Sequence, residues 1–184
     1  MEKLYFLHKL FWSQVFIFID INFNTFDIMH DAIGWILLFQ GLRILRNVMN
    51  VKRRIDSLVI LFLVESLIII FYSPMVPLDI LNIISLASTV VMFYLYYELF
   101  QILFILSKER NLLHKTKFYF FLMITHFSLS IIYQNLNLIY IDGNFLGFSM
   151  IAIIIISLTF IFGLLIHTHE LKKAFYKPIM NMLI

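Results

Sequence analysis

The chain of 184 residues has no cysteine, five glycines and three prolines, and only 14% of its residues are charged. The missing cysteine excludes disulfides, thiolate metal sites, thiol nucleophiles and palmitoylation, and says nothing of the redox compartment. Five glycines offer little for a phosphate cradle, and the sequence contains no P-loop, no His-Glu-x-x-His and no Gly-x-Ser-x-Gly. Disorder is excluded too: it needs few aromatics and high net charge, whereas 17% of these residues are aromatic and the net charge is +3. No polar stretch is long enough to form a separate soluble domain.

What is present is apolar. Hydrophobic residues make up 62% of the chain and mean hydropathy is +0.94, where ordinary soluble domains are about 45–50% apolar. A water-soluble domain of this size cannot hide so much apolar surface, because its core grows slowly with length. The composition predicts an integral membrane protein, and the apolar runs do not alternate as barrel strands do, so the fold class is all-α.

A spanning helix needs about 20 mostly apolar residues. Residues 55–72, 78–107, 118–133 and 145–166 qualify. Residues 28–48 form a fifth candidate, apolar apart from Asp31, Gln40, Arg43 and Arg46. Residues 4–21 are the sixth, interrupted by His8, Lys9, Ser13, Gln14 and Asp20. No small-residue cleavage site follows this first stretch, so it is expected to be retained. The stretch 78–107 is about 45 Å long as a helix and must tilt or project beyond the bilayer.

The basic residues set the orientation. Lys3 and Lys9 go with the first stretch, and Arg43, Arg46, Lys52, Arg53 and Arg54 surround the second connection. Lys108, Arg110, Lys115 and Lys117 fill the fourth, and Lys172, Lys173 and Lys177 follow the last stretch. If all six stretches cross, these 14 residues, the full Lys and Arg complement, fall on one side. Asp20, Asp27, Asp31, Asp79 and Asp142 fall on the other. The positive-inside rule then predicts a single domain of six transmembrane helices with both termini cytoplasmic. Residues 168–184, where apolar positions alternate with Lys172, Lys173 and Lys177, suit a short helix on the inner leaflet or an extension of the last span.

The segment Phe26-Asp27-Ile28-Met29-His30-Asp31-Ala32-Ile33-Gly34-Trp35-Ile36-Leu37 resembles one found in small Firmicute membrane proteins, which reads roughly F-D-I-L-P-D-F-I-G-Y-I-L. There it follows a short apolar segment ending in Asp and Asn, a position that Asp20-Ile21-Asn22-Phe23-Asn24 fits. His30 stands where that pattern usually has proline. The group has no assigned biochemical activity, so the resemblance implies a polytopic protein of the bacterial cytoplasmic membrane and no reaction.

Several polar residues stand out. Asp27, His30 and Asp31 share one helical face and have the donor types of a divalent-cation site. Helix capping and the preference for negative charge in a first turn explain the same residues more simply. Glu65 sits mid-stretch, where a carboxylate must be protonated, paired or wetted. His126 stands at matching depth and is its expected companion if the two helices touch. Tyr119, Ser130 and Tyr133 lie on the His126 face, and Asn82, Ser85, Ser88 and Thr89 make a similar stripe. Such stripes line hydrated routes or, more ordinarily, pack helices closely. Glu98, with Gln101 as an expected partner, and Gln40 complete the set of intramembrane polar candidates. His167-Thr168-His169-Glu170 is the one compact His/Glu group of the kind a hydrolase uses.

No catalytic residue, cofactor or nucleic-acid partner is expected. The lipid bilayer is the expected partner, with other membrane proteins beside it. The leading expectation is a non-enzymatic accessory, sensor or immunity-type membrane component. A small proton-coupled transporter or channel using Glu65 and His126 is the alternative, and an intramembrane enzyme is the third.

Overall fold

All three prolines fall at residues 74, 77 and 178, so the apolar runs between them are free of helix breakers. The computed structural model describes residues 1–18, 30–72, 78–136 and 143–181. Six helices account for their regular structure: α1 (Glu2–Phe18), α2 (His30–Leu45), α3 (Arg54–Tyr72), α4 (Leu78–Lys108), α5 (Leu113–Leu136) and α6 (Gly143–Asn181). No strand occurs among the described residues. Residues 168–181 continue α6 without a break, so they do not form a helix of their own.

Each helix packs on its neighbours in sequence, and α6 closes the ring by packing on α1. The α1–α2 contact is the most extensive and the α3–α4 contact the sparsest. Glycine explains the first. A Cβ on Gly34 would lie 2.5 Å from Ile17 Cγ1 and 2.9 Å from the Ser13 carbonyl oxygen, so α1 and α2 approach closer than any side chain permits. Gly163 on α6 plays the same part against the Tyr119 ring of α5, 2.5 Å from where its Cβ would be.

The core is built mainly from one half of α4. Leu95, Leu99, Phe100, Leu103 and Leu106 are buried among Phe6 and Leu10 of α1, Leu42 of α2, Ile55 of α3, Phe127 of α5 and Phe160 of α6. The other half of α4 exposes Ile83, Ile84 and Val90, and α6 exposes Ile151, Ile154, Ile155, Leu158 and Phe162. Exposed apolar faces of this kind mark a surface that meets lipid or another protein. Two helical segments, Ile83–Lys108 and Met150–Lys177, are long and apolar enough to cross a membrane. Helices α1 and α2 have 17 and 16 residues; at 1.5 Å per residue they reach about 24–26 Å, short of a bilayer core of about 30 Å.

Helix α4 ends in a Schellman turn. Asn111 takes the left-handed conformation, with φ at 58°, and the Leu112 N–H reaches back to the Ser107 carbonyl at 2.9 Å. The chain therefore reverses within four residues into α5. Polar contacts gather four parts of the chain at this end: the start of α1 (Lys3 to Glu109, 2.6 Å), the α2–α3 connection (Lys52 to Glu98 of α4, 3.0 Å), the α4–α5 turn, and the end of α6 (Lys115 to Glu170, 2.8 Å).

Gly34→Ala is expected to destabilise the fold by about 1–3 kcal/mol, because the obstructing atoms include backbone that cannot turn aside. Gly163→Ala meets the edge of a rotatable ring and is expected to cost less. Thermal unfolding in detergent, with exposed Ala152→Leu as a control, checks the order.

Candidate functional site

Glu65 on α3 is half-buried, and the Ser88 hydroxyl of α4 donates to its Oε1. His126 on α5 stacks on the Phe160 ring at 5.5 Å and lies 2.9 Å, through Nδ1, from Ser157 Oγ on α6. Ser157 Oγ also lies 2.7 Å from the Ile153 carbonyl, one turn back on its own helix. Glu65 and His126 thus have separate partners on separate helices, and α3 and α5 share no extensive packed face. The structure does not bring this pair together.

The remaining intramembrane candidates also find local partners. Ser130 donates to the His126 carbonyl at 2.9 Å, one turn back on its own helix. Tyr119 covers Gly163 and faces the His167 ring at 5.2 Å. Gln40 accepts from Lys9 Nζ at 3.1 Å across α1 and α2. Thr89, Thr125 and Thr159 each donate to the carbonyl four residues earlier. That pattern is the packing use of hydroxyls, in which a membrane helix satisfies its own polar side chains.

Glu98 has the most built surroundings. Its side chain is 2% exposed, while those of its cationic partners Lys52 and Arg54 are 54% and 55% exposed. Lys52 Nζ lies 3.0 Å from Oε2 and Arg54 Nη2 lies 2.6 Å from Oε1, and the Tyr94 hydroxyl donates to Oε1 at 3.1 Å. The expected partner Gln101 is not among these. From Leu78 to Glu98 the helix climbs about 30 Å, one bilayer core. The two cations reach the carboxylate from the α2–α3 connection while their own side chains stay half exposed, as long basic side chains do when they lie along a surface. Tyr94 was legible as an i−4 neighbour, whereas Lys52 and Arg54, 46 and 44 residues away, carry no local signal.

A second buried cluster joins α4, α5 and α6. His167 is 0% exposed, with Nε2 2.9 Å from Thr116 Oγ1, and Thr116 is also hydrogen-bonded to Ser107. His167 Nδ1 is buried without a hydrogen-bond partner among the described residues. The neighbours of His167 diverge: Thr168 bonds its own helix and approaches Gln14, the His169 ring lies 5.9 Å from Phe11, and Glu170 pairs with Lys115. That hydrogen bond holds the Lys115 ammonium above its ordinary value. The His-Thr-His-Glu group therefore has no convergent geometry for hydrolysis.

Of the expected cation ligands, Asp27 lies outside the described residues, as does the side chain of His30; Asp31 is exposed in the first turn of α2. No group of three acidic or histidine side chains that could hold a metal occurs among the described residues. No protein-family model, curated protein or solved structure matches the chain.

Two outcomes follow from the buried groups. Lys52→Gln with Arg54→Gln leaves a buried carboxylate with Tyr94 alone and is expected to cost about 2–3 kcal/mol, discounted because both cations are half in water. Adding Glu98→Gln to that double variant should recover part of the loss, which unfolding in detergent will read as a coupling energy. Thr116→Val, which strands the second nitrogen of His167, should cost about 1–3 kcal/mol, and combining it with His167→Phe should cost less than the sum of the two.

Proposed function

We propose that the chain is a multi-pass, non-enzymatic component of the bacterial cytoplasmic membrane, an accessory, sensor or immunity-type subunit. In this reading all six helices cross, and both termini face the cytoplasm. Helices α1 and α2 are the two shortest, and the apolar stretches 4–21 and 28–48 in the sequence are each longer than the helix they overlap. The likeness of residues 26–37 to small Firmicute membrane proteins fits this reading and assigns no reaction.

One observation supports the non-enzymatic, non-transporting role above others. Each described polar group within the helix bodies that looked chemically active is tied to a structural neighbour: Glu65 to Ser88, His126 to Ser157, Glu98 to Lys52 and Arg54, and His167 to Thr116. A proton relay needs groups that hand on to one another. Here Glu65, His126 and Glu98 each bond within their own separate group, and the one chain that crosses three helices, Ser107–Thr116–His167, lies apart from all of them. What the molecule offers instead is apolar helix faces and a cytoplasmic end dense in charge, the properties of a subunit that works through partners.

The topology is accessible because the chain has no cysteine of its own. Asn50→Cys and Lys173→Cys should resist an impermeant thiol reagent in intact cells and react after permeabilisation, with Asp142→Cys doing the reverse. For the role, purification in mild detergent should bring a partner protein in fixed ratio. Isolation as a lone species that conducts protons into liposomes, with the flux abolished by Glu65→Gln, would overturn the reading in favour of a transporter.

A further inference from the structure

Between α1 and α2, at the end where the basic residues gather, lies an open cleft of about 400 Å³ lined by Tyr5, Gln40, Arg43, Ile44 and Asn47. Lys9 reaches into the same place: its ammonium sits 5.3 Å over the Tyr5 ring and donates to Gln40. Arg43 rests against the Phe39 ring at 5.9 Å. Neither cation has a carboxylate partner among the described residues, in contrast to Lys3, Arg46, Lys52, Arg54 and Lys115, which are all ion-paired. No lining residue is acidic. The nearest carboxylate on that face of α1 by helical spacing is Glu2, about 10 Å from Lys9 along the axis.

We infer that this cleft binds the phosphate of an anionic phospholipid of the inner leaflet, with Lys9 and Arg43 as its charge partners and Tyr5 and Asn47 as neutral donors. The inference rests on the six-span reading. Two features select a lipid over a free anion. Lys9 stands about two turns inside the end of α1, at headgroup depth rather than in the cytoplasm. One turn further in, the same faces turn apolar and open: Trp12 follows Lys9 on α1 and Ile36 precedes Gln40 on α2, and both are exposed. A headgroup in the cleft would lay its acyl chain on these two side chains. Basic pockets between helices on the cytoplasmic side are built for this task. An arginine further favours phosphate, because its planar fork matches the phosphate oxygens in pairs.

The test uses the full chain in mild detergent, titrated with phosphatidylglycerol, phosphatidylcholine or inorganic phosphate. Retained lipid is read by native mass spectrometry and thermal stability is measured in parallel. Phosphatidylglycerol should bind and stabilise, phosphatidylcholine should do so far less, and inorganic phosphate should not compete. Lys9→Gln with Arg43→Gln should weaken phosphatidylglycerol binding about thirtyfold, and Arg43→Gln alone about fivefold. The single variant keeps the test open if the double one does not fold, because Arg43 is exposed. The control, Arg53→Gln with Lys173→Gln, removes two exposed cations outside the cleft and should change binding less than about twofold. An equal loss in the control would mean diffuse surface charge and overturn the proposal. Displacement of the lipid by inorganic phosphate would overturn it in favour of a free anion. A chain that needs detergent for extraction yet holds both lipids equally would overturn the lipid site alone. A chain recovered without detergent would overturn the six-span reading beneath it.

Discussion

The burial of Glu98 is the constraint around which the rest of the arrangement is organised. In hydrocarbon, apolar helix faces gain little from one another because lipid offers the same contacts, so helices associate through close packing and polar ties. The α1–α2 seam has close packing, supplied by Gly34 and Gly41. The α3–α4 seam has little. It is held by Ser88 on Glu65 within the helices and by Lys52 and Arg54 on Glu98 at their end. A carboxylate that is 2% exposed cannot be left by both cations without a large desolvation cost, so the start of α3 is bound to α4 where apolar contact would not keep it.

The same logic separates structural from chemical polar groups in this molecule. Removing a polar side chain from water costs several kcal/mol without a partner, so each one either finds a neighbour or marks a place kept for something else. Glu65, His126, Ser130 and Thr89, Thr125 and Thr159 each find a neighbour within the bundle. Lys9 and Arg43 are different in kind: cations set into helix bodies with only aromatic rings and an amide for company. His167, whose Nδ1 has no partner, is enclosed instead, and it acts as a wedge between α4, α5 and α6.

Much of the helical layout was legible in the chain. The stretches at 55–72 and 78–107 match α3 and α4 to within a residue, because proline-free apolar runs have little choice but helix in this setting. Helix α5 begins five residues before the stretch at 118–133, since Lys115 and Lys117 are polar to a hydropathy reading but ordinary helix formers. Spacing along one helix put Ser130 on the His126 face, where it bonds the His126 carbonyl, but it offered Gln101 for Glu98, whose partner on its own helix is Tyr94, four residues back. It paired Glu65 with His126 by depth, and depth says nothing about which helices are neighbours.

The sequence by itself determined the all-helical class, the apolar character and the gathering of the cations at alternate connections. Each of these follows from the solvent preference of side chains taken one at a time. Only the tertiary structure decided that Glu98 belongs to Lys52 and Arg54, that His126 faces Ser157, and that Tyr119 lies across Gly163. Those pairings depend on the order and rotation of helices around the ring. Small residues set that order where backbones must approach closely, and desolvation sets it where a buried charge must be met.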